Sequence, residues 1–276
     1  MGVSDIAVDV LIPTRDRPSA LAITLTGLAA QSVHPLRIVI SDQSARAVQG
    51  QPEIVGLLRY LRHVGHSVVV HHHLPVRGMA EQRAFLLDQV HAEHCLYLDD
   101  DVITEPDLVD RLHQTLVSQR CGFVGSALHG LSFIADRRPE QQSIEFWQDR
   151  VQPERIPPHT AHWQRHRLHS AANLMHVQQT TSHGSTRTLL YKIAWVGGCV
   201  MFDSAKLRDC GGFDFWRELP VQHCGEDVLA QLRVMARYGG CAMLPSGAYH
   251  LELPTSLPSR EVDAPLALPH WLPKSS

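Results

Sequence analysis

The sequence predicts an α/β domain, built on a mostly parallel sheet flanked by helices, with a smaller subregion beside it. Two observations carry this expectation. From Val8 to Gly125 short apolar runs alternate with segments of helical periodicity, the order of βαβ units. Several of those runs end in polar or acidic residues, as strands do when they deliver side chains to one edge of an open sheet.

Val8-Asp9-Val10-Leu11-Ile12 reads as the first strand and stops at Pro13. From Pro18 the spacing of Leu21, Leu25 and Leu28 marks one face of a helix, with proline suited to its first turn. Leu36 to Ile40 reads as a second strand running into Ser41-Asp42-Gln43-Ser44, and a helix near Ile54 to Leu61 leads to a third strand from Ser67 to Val70. Met79 to about Val90 places Ala80, Ala84 and Leu87 at helical spacing; then Cys95-Leu96-Tyr97-Leu98 runs straight into Asp99-Asp100-Asp101. A helix from about Pro106 to Val117 and a strand from Cys121 to Gly125 complete this half, residues 1–128. Residues 129–190 lose clear periodicity and are rich in His, Arg, Gln and Pro, which predicts a long surface excursion, an irregular insertion or lid. Regular structure returns over 191–250, with a strand in Ile193 to Phe202, a short helix near Ser204 to Arg208 and a helix carrying Val228, Leu232 and Met235. Pro254, Pro258, Pro265, Pro269 and Pro273 mark residues 251–276 as an extended tail.

A composition of 44% hydrophobic and 19% charged residues over 276 positions is that of a globular chain. With 25 Lys+Arg against 28 Asp+Glu the net charge is -3, which gives no field for a nucleic-acid backbone, so nucleic acid is not an expected partner. No apolar run approaches the roughly 20 residues of a membrane span, and the start lacks a secretory pattern. A cytoplasmic location is expected, with peripheral membrane contact left open. Six scattered cysteines without a C-x-x-C pair read as reduced thiols, and with 19 histidines no single one is a strong clue.

Asp99, Asp100 and Asp101 carry the most information. Three adjacent carboxylates after an apolar strand repel one another unless a cation or solvent compensates, and Mg²⁺ or Mn²⁺ takes oxygen ligands together with substrate phosphates. The alternative is a solvated turn before a helix cap at Thr104-Glu105-Pro106-Asp107. Asp42 could accept hydrogen bonds from a base or ribose, and Arg15 and Asp16 close the first strand, where Arg pairs with phosphate and Asp with a base edge; each alone reads equally as a polar turn. Arg77, Gly78 and Arg83 begin a helix, where backbone amides and guanidinium groups favour an anion, or where arginine is simply on the surface. Glu226 and Asp227 open a helix after Gly225; such a carboxylate can deprotonate a hydroxyl, or merely complement the helix dipole. His250 ends a strand-like segment and is a candidate Mn²⁺ ligand or an ordinary surface histidine. His162, His166 and His169 share one face if their segment is helical, and Trp147, Trp163, Trp195 and Trp216 could stack on sugars or simply pack.

In this order the motifs resemble family 2 glycosyltransferases. The matching residues are Val10 to Arg17, Gln31-Ser32, Ile38 to Ser44, Gly78 and Arg83, Leu96 to Asp101, Gly197-Gly198, Gly211-Gly212-Phe213-Asp214 and Gly225-Glu226-Asp227, while residues 129–190 match nothing. The resemblance implies the Rossmann-like GT-A fold and transfer of a sugar from a nucleotide-diphosphate donor, a UDP-sugar favoured, to a glycan, lipid-linked or small-molecule hydroxyl with inversion. It implies that Pro13, Thr14, Asp16 and Asp42 line the nucleotide pocket, and that Arg83 or Arg77 sits near the diphosphate. Asp99 to Asp101 correspond to the D-x-D signature, with Asp99 and Asp100 toward ribose or sugar and Mn²⁺ or Mg²⁺ on Asp101, assisted by Asp99 and His250. Gly198, Gly212, Phe213 and Asp214 would border the sugars; Asp227 would be the base, with Glu226 the alternate. Gln43 and Ala84 depart from the family's Asp-Gly and Asn and bear on the donor contacts. A sugar nucleotidyltransferase would carry a glycine-rich loop where this chain has Pro13 to Pro18; a non-catalytic sugar-nucleotide or glycan-binding protein has no reason to retain both acidic sets.

Overall fold

A computed structural model describes residues 8–181, 188–255 and 259–272. The chain runs β1 (Val8–Thr14), α1 (Pro18–Ala29), β2 (Arg37–Asp42), α2 (Pro52–His63), β3 (Ser67–His72), α3 (Met79–Asp88), β4 (His94–Leu98), β5 (Val102–Thr104), α4 (Leu108–Gln119) and β6 (Phe123–Gly125). After α5 (Asn173–Thr181) come β7 (Leu189–Tyr191), β8 (Cys199–Asp203), α6 (Ser204–Asp209), α7 (Glu226–Tyr238), β9 (Gly240–Leu244), β10 (Ala248–His250) and α8 (Ala264–Ala267).

Eight strands form one sheet in the order β3-β2-β1-β4-β8-β6-β9-β7. β8 and β7 run against the other six, so the sheet is mostly parallel, as expected. β1 lies at its centre with all seven residues buried, and its two faces feed two cores because successive side chains point to opposite sides. Val10 and Ile12 join Leu21, Leu25, Leu28, Ile54, Leu58 and Leu112 on the α1, α2 and α4 side. Leu11 joins Leu86, Leu207, Leu232 and Met235 on the α3, α6 and α7 side. Burial on both faces explains why the parallel strands read as continuous apolar runs rather than alternating ones.

The first half matches its expected elements closely. β5 and β9 were not foreseen, while β10 matches the strand-like segment ending at His250. β5 and β10 form a separate antiparallel pair, with His250 opposite Val102, which brings the end of β10 beside the Asp99–Asp101 turn.

Two expectations need correction. Residues 129–190 are not a loose excursion: Val151, Ile156, Trp163, Leu168, Leu174 and Val177 are buried in the main cores, and β7 extends the sheet edge. The mean periodicity is low because short 3₁₀ turns, such as Trp163–His169, replace long helices. The proline-rich end is not an extended tail either. Cys224 and residues 262–264 pair through backbone hydrogen bonds, Ala264 and Leu268 are buried, and Trp271 packs edge-on against Phe215 at 5.9 Å. Pro265 and Pro269 sit in the first turns of α8 and a following 3₁₀ turn, where proline's fixed φ is an advantage. Pro258 and Pro273 of the expected tail, residues 182–187 of the expected excursion and residues 1–7 lie outside the described residues.

Docking of the C-terminal segment has a measurable consequence. Leu268→Ala is expected to lower stability by about 2–4 kcal/mol, the range for truncating a buried leucine, in urea unfolding of the full chain. An unchanged midpoint would show that the segment does not pack on the core.

Candidate active site

A cavity of about 830 Å³ opens at the carboxyl ends of β1, β2 and β4 and is closed on the far side by the start of α7 and the returning C-terminal segment. This is the edge at which ligands bind in open α/β sheets. Thr14, at the end of β1, donates its hydroxyl to Asp100 at 2.7 Å. Arg17 reaches the same carboxylate through Nη1 at 3.0 Å and the Asp101 carboxylate through Nη2 at 2.5 Å. One guanidinium thus holds two of the three adjacent carboxylates, and Arg17 in turn is raised: desolvation opposes, but the Asp100 and Asp101 charges outweigh it.

Arg83 organises the third. From α3 it donates through Nη2 to Asp99 at 3.1 Å and through Nε to Glu226 at 3.0 Å, while the Tyr97 hydroxyl donates to its backbone carbonyl at 2.8 Å. Burial works against the Arg83 charge, yet Asp99, Glu226 and Asp227 more than reverse that, and its pKa is raised. The start of α3 is shaped by Gly78 at φ +103, where a Cβ would lie 2.6 Å from the His223 ring. His223 donates through Nδ1 to the Pro220 carbonyl and accepts the Ala80 amide at Nε2, so it clamps the loop before α7 onto α3. Gly225, at φ +74, packs against the Asp263 carboxylate and turns the chain into α7.

Two carboxylates in this wall are pushed up to about 7. Asp100 is raised by burial and by Asp101 and Asp99, against the opposing Thr14 hydrogen bond and Arg17. Asp227 is raised by desolvation and by Glu226, against Arg83. Asp227 faces the cavity beside Gly197, whose Cβ position would lie 4.0 Å from its Oδ2.

Of the residues expected to line the site, Pro13, Thr14, Arg15, Gly78, Arg83, Asp99, Asp100, Asp101, Gly198, Glu226, Asp227 and His250 share this one cavity. The others are placed elsewhere. Asp42 is fully buried and accepts the amides of Ser44 and Val48 at 2.9 and 2.7 Å, so its carboxylate shapes the loop after β2, while Gln43 lines the cavity. Asp16 is exposed and accepts the Ala45 amide, joining the first two loops, and Arg77 is exposed outside the wall. Gly212 packs near Leu87; Phe213 is buried edge-on to Tyr97 at 5.3 Å below the floor; and Asp214 pairs with Arg217 on the surface. Gly212 and Phe213 thus support the site from beneath, and none of the three lines the cavity.

The expected metal ligands, Asp101, Asp99 and His250, do not assemble a metal centre. Asp101 Oδ2 is taken by Arg17 and Asp99 Oδ1 by Arg83. His250 Nδ1 accepts the Glu252 amide at 2.8 Å, which leaves the proton on Nε2, 3.4 Å from Asp101 Oδ2. A ring nitrogen that carries a proton is not a ligand. Among the described residues no group of three or more His, Cys, Asp or Glu side chains is arranged to hold an ion. As folded, these carboxylates are engaged by the guanidinium groups of Arg17 and Arg83.

Arg17, Gln43 and Trp195, each noted in the sequence, also line the cavity, as do Arg260 and Asp263, which the sequence did not single out. Arg17 was the most accessible to reasoning, since three consecutive carboxylates on a strand end require a nearby cation. Arg260 and Asp263 arrive only because the C-terminal segment folds back.

Comparison with known proteins supports the architecture. No protein-family model matches the chain, and no curated protein matches it in sequence. Among solved structures, that of S. aureus TarS has 13% identity over 96% of this chain and 38% of its own, with a TM-score of 0.58. A TarS fragment, residues 1–349, in complex with UDP-GlcNAc gives a TM-score of 0.58 at 12% identity over 91% of this chain and 60% of the fragment. Mannosyltransferase PcManGT from Pyrobaculum calidifontis, in complex with GDP-Man and Mn²⁺, gives 0.51 at 16% identity over 85% of this chain and 56% of its own. The chain spans between about a third and two thirds of these proteins. Its fold is the mixed, mostly parallel α/β arrangement of GT-A structures.

Because Arg17 occupies Asp101, Arg17→Ala is expected to bind Mn²⁺ more tightly than the unaltered chain in a calorimetric titration. Equal affinity in both proteins would show that the guanidinium does not hold the cation's place.

Proposed function

We propose that this chain is a glycosyltransferase that moves a sugar from a nucleoside-diphosphate donor, a UDP-sugar favoured, to an acceptor hydroxyl with inversion. The observation that carries this reading is Asp227: a carboxylate pushed up to about 7 on the wall of the same cavity that receives the carboxyl ends of β1, β2 and β4. A base is most effective when its pKa lies near the working pH. The TarS complex with UDP-GlcNAc and the mannosyltransferase complex with GDP-Man support the donor class through the shared fold.

In this reading Pro13, Thr14 and Gln43 receive the nucleotide, with Gln43 in the place expected for Asp42. Arg15 and Arg17 face the diphosphate, and Asp99 faces the ribose or sugar. Asp227 accepts the proton of the acceptor hydroxyl as its oxygen forms a bond to the anomeric carbon. The bond from that carbon to the diphosphate oxygen breaks with its electron pair, and the nucleoside diphosphate leaves. One displacement inverts the anomeric centre. Glu226 fixes Arg83 and thereby orients Asp227, one residue further along the helix. A divalent cation such as the Mn²⁺ of the mannosyltransferase complex would need Arg17 to release Asp101. A cytoplasmic location is favoured by six free cysteines, five of them buried. Among the described residues no helix is long and apolar enough to cross a membrane.

Asp227→Asn is expected to reduce transfer by about 10²–10⁴-fold, the usual contribution of a positioned base, while nucleotide affinity is retained. Retained transfer would remove Asp227 from the role, and nucleotide binding without transfer by the unaltered chain would leave a sugar-nucleotide-binding protein as the reading. Transfer by the unaltered chain should rise with pH through about 7, as Asp227 loses its proton, and level off above. A rate that falls over that interval would be incompatible with a base at this position.

A further inference from the structure

Trp195 stands out among the cavity residues because it is held rigidly from behind by a part of the chain that otherwise has no place in the reaction. One face of its ring is covered by His166, with centroids 4.7 Å apart and planes within 9°. Trp163 packs against it at 4.7 Å and 59°. His169 hydrogen-bonds to the Trp195 backbone and, through Nε2, meets the Tyr191 hydroxyl at 3.0 Å. All three holding residues lie on one 3₁₀ turn, Trp163–His169, inside the segment 129–190. Trp195 itself is half-buried and lines the cavity.

Its position along the cavity follows from the chain after it. The Cβ position of Gly198 would lie 3.4 Å from Asp99 Oδ2, and that of Gly197 would lie 4.0 Å from Asp227 Oδ2. Successive residues therefore pass from the donor side at Asp99 to the base at Asp227, and Trp195 continues two residues beyond, within about 7 Å of chain. The nucleotide end, at Pro13 and Gln43, belongs to the loops after β1 and β2.

We infer that Trp195 is a pre-formed stacking platform for a pyranose ring of the acceptor, so that the acceptor is a saccharide rather than a simple alcohol or lipid hydroxyl. The inference rests on the glycosyltransferase reading for the role of Asp227, but not for the platform itself. With His166 and Trp163 packed against its ring, Trp195 offers the indole surface that lines the cavity to the apolar C–H face of a sugar, and a platform fixed before binding loses little entropy when the ring settles on it. A ring stacked there presents its hydroxyl edge to Asp227. The segment 129–190 then has a function: it backs the platform.

The test uses the full chain and three probes, the methyl pyranosides of glucose, N-acetylglucosamine and mannose, with sorbitol as a polyol without a ring. Saturation-transfer NMR should show at least one pyranoside bound in preference to sorbitol, with the signal lost in Trp195→Ala and partly restored in Trp195→Phe. His166→Ala, which removes the backing and spares the indole, should weaken binding several-fold. Calorimetric titration with UDP, GDP and CDP should give the same affinity in all these proteins. Pyranosides bound equally by Trp195→Ala, or no better than sorbitol, overturn the inference. So does loss of nucleotide affinity in Trp195→Ala, which would make the platform a base-stacking surface. If none of the three nucleotides binds even the unaltered chain while the pyranoside signal depends on Trp195, the platform stands and the donor reading fails. If Trp195→Ala does not fold, the Trp195→Phe and His166→Ala proteins carry the same comparison.

Discussion

The guanidinium of Arg83, held between Asp99 and Glu226, is the contact on which the two halves of the site depend. Its carboxylate partners come from the end of β4 and the start of α7, elements separated by more than a hundred residues in the chain. A buried cation is tolerated only where such partners are fixed, and removing it would leave Glu226 buried and uncompensated. The contact also decides which way α7 faces. Adjacent helical residues point about 100° apart, so with Glu226 turned onto Arg83, Asp227 is turned toward the cavity. Glu226 and Asp227 thus divide structural and chemical duties that sequence alone left interchangeable.

Charge explains the rest of the wall. Six carboxylates, Asp99, Asp100, Asp101, Glu226, Asp227 and Asp263, share the cavity with four guanidinium groups from Arg15, Arg17, Arg83 and Arg260. Burial and the excess of carboxylates push Asp100, Asp227 and Asp263 upward, toward the neutral form. Their outcomes differ because their neighbours do. Asp100 is engaged by the Thr14 hydroxyl and by Arg17, so its proton traffic is tied to the D-x-D turn. Asp227 stands in open wall beside Gly197, where an incoming hydroxyl has room to approach.

How much of this was readable beforehand depended on whether a feature is local. β1 to β4 and their helices follow from runs such as Val8 to Ile12 and from the leucine spacing of α1, because each is a short-range pattern with burial on both sides. Asp99 to Asp101 and Glu226-Asp227 were readable for the same reason: they are consecutive residues at element ends. β5 and its pairing with the strand ending at His250 were not, since a three-residue strand is fixed only by its partner. The returning C-terminal segment was missed because proline was read as extended chain, whereas Pro265 and Pro269 start turns that carry Ala264 and Leu268 into the core. Asp42 was read as facing a ligand because its type and place suit one; only the three-dimensional loop shows that two backbone amides already use both oxygens.

The same distinction separates the two ends of the cavity. The end proposed for the nucleotide is made by the loops that directly follow β1, β2 and β4, so its residues occur as compact motifs. The opposite end is assembled from Trp195, a backing turn about thirty residues earlier, and Arg260 and Asp263 some sixty residues later. No spacing rule connects these positions, because each is placed by packing onto the sheet rather than by the geometry of one loop. The end at β1, β2 and β4 is therefore legible in sequence patterns, and the end at Trp195 only in contacts between segments. The unmatched stretch 129–190 belongs to the second kind, because its place beside the cavity is made by packing contacts such as those of Trp163 and His166 with Trp195 rather than by a local motif.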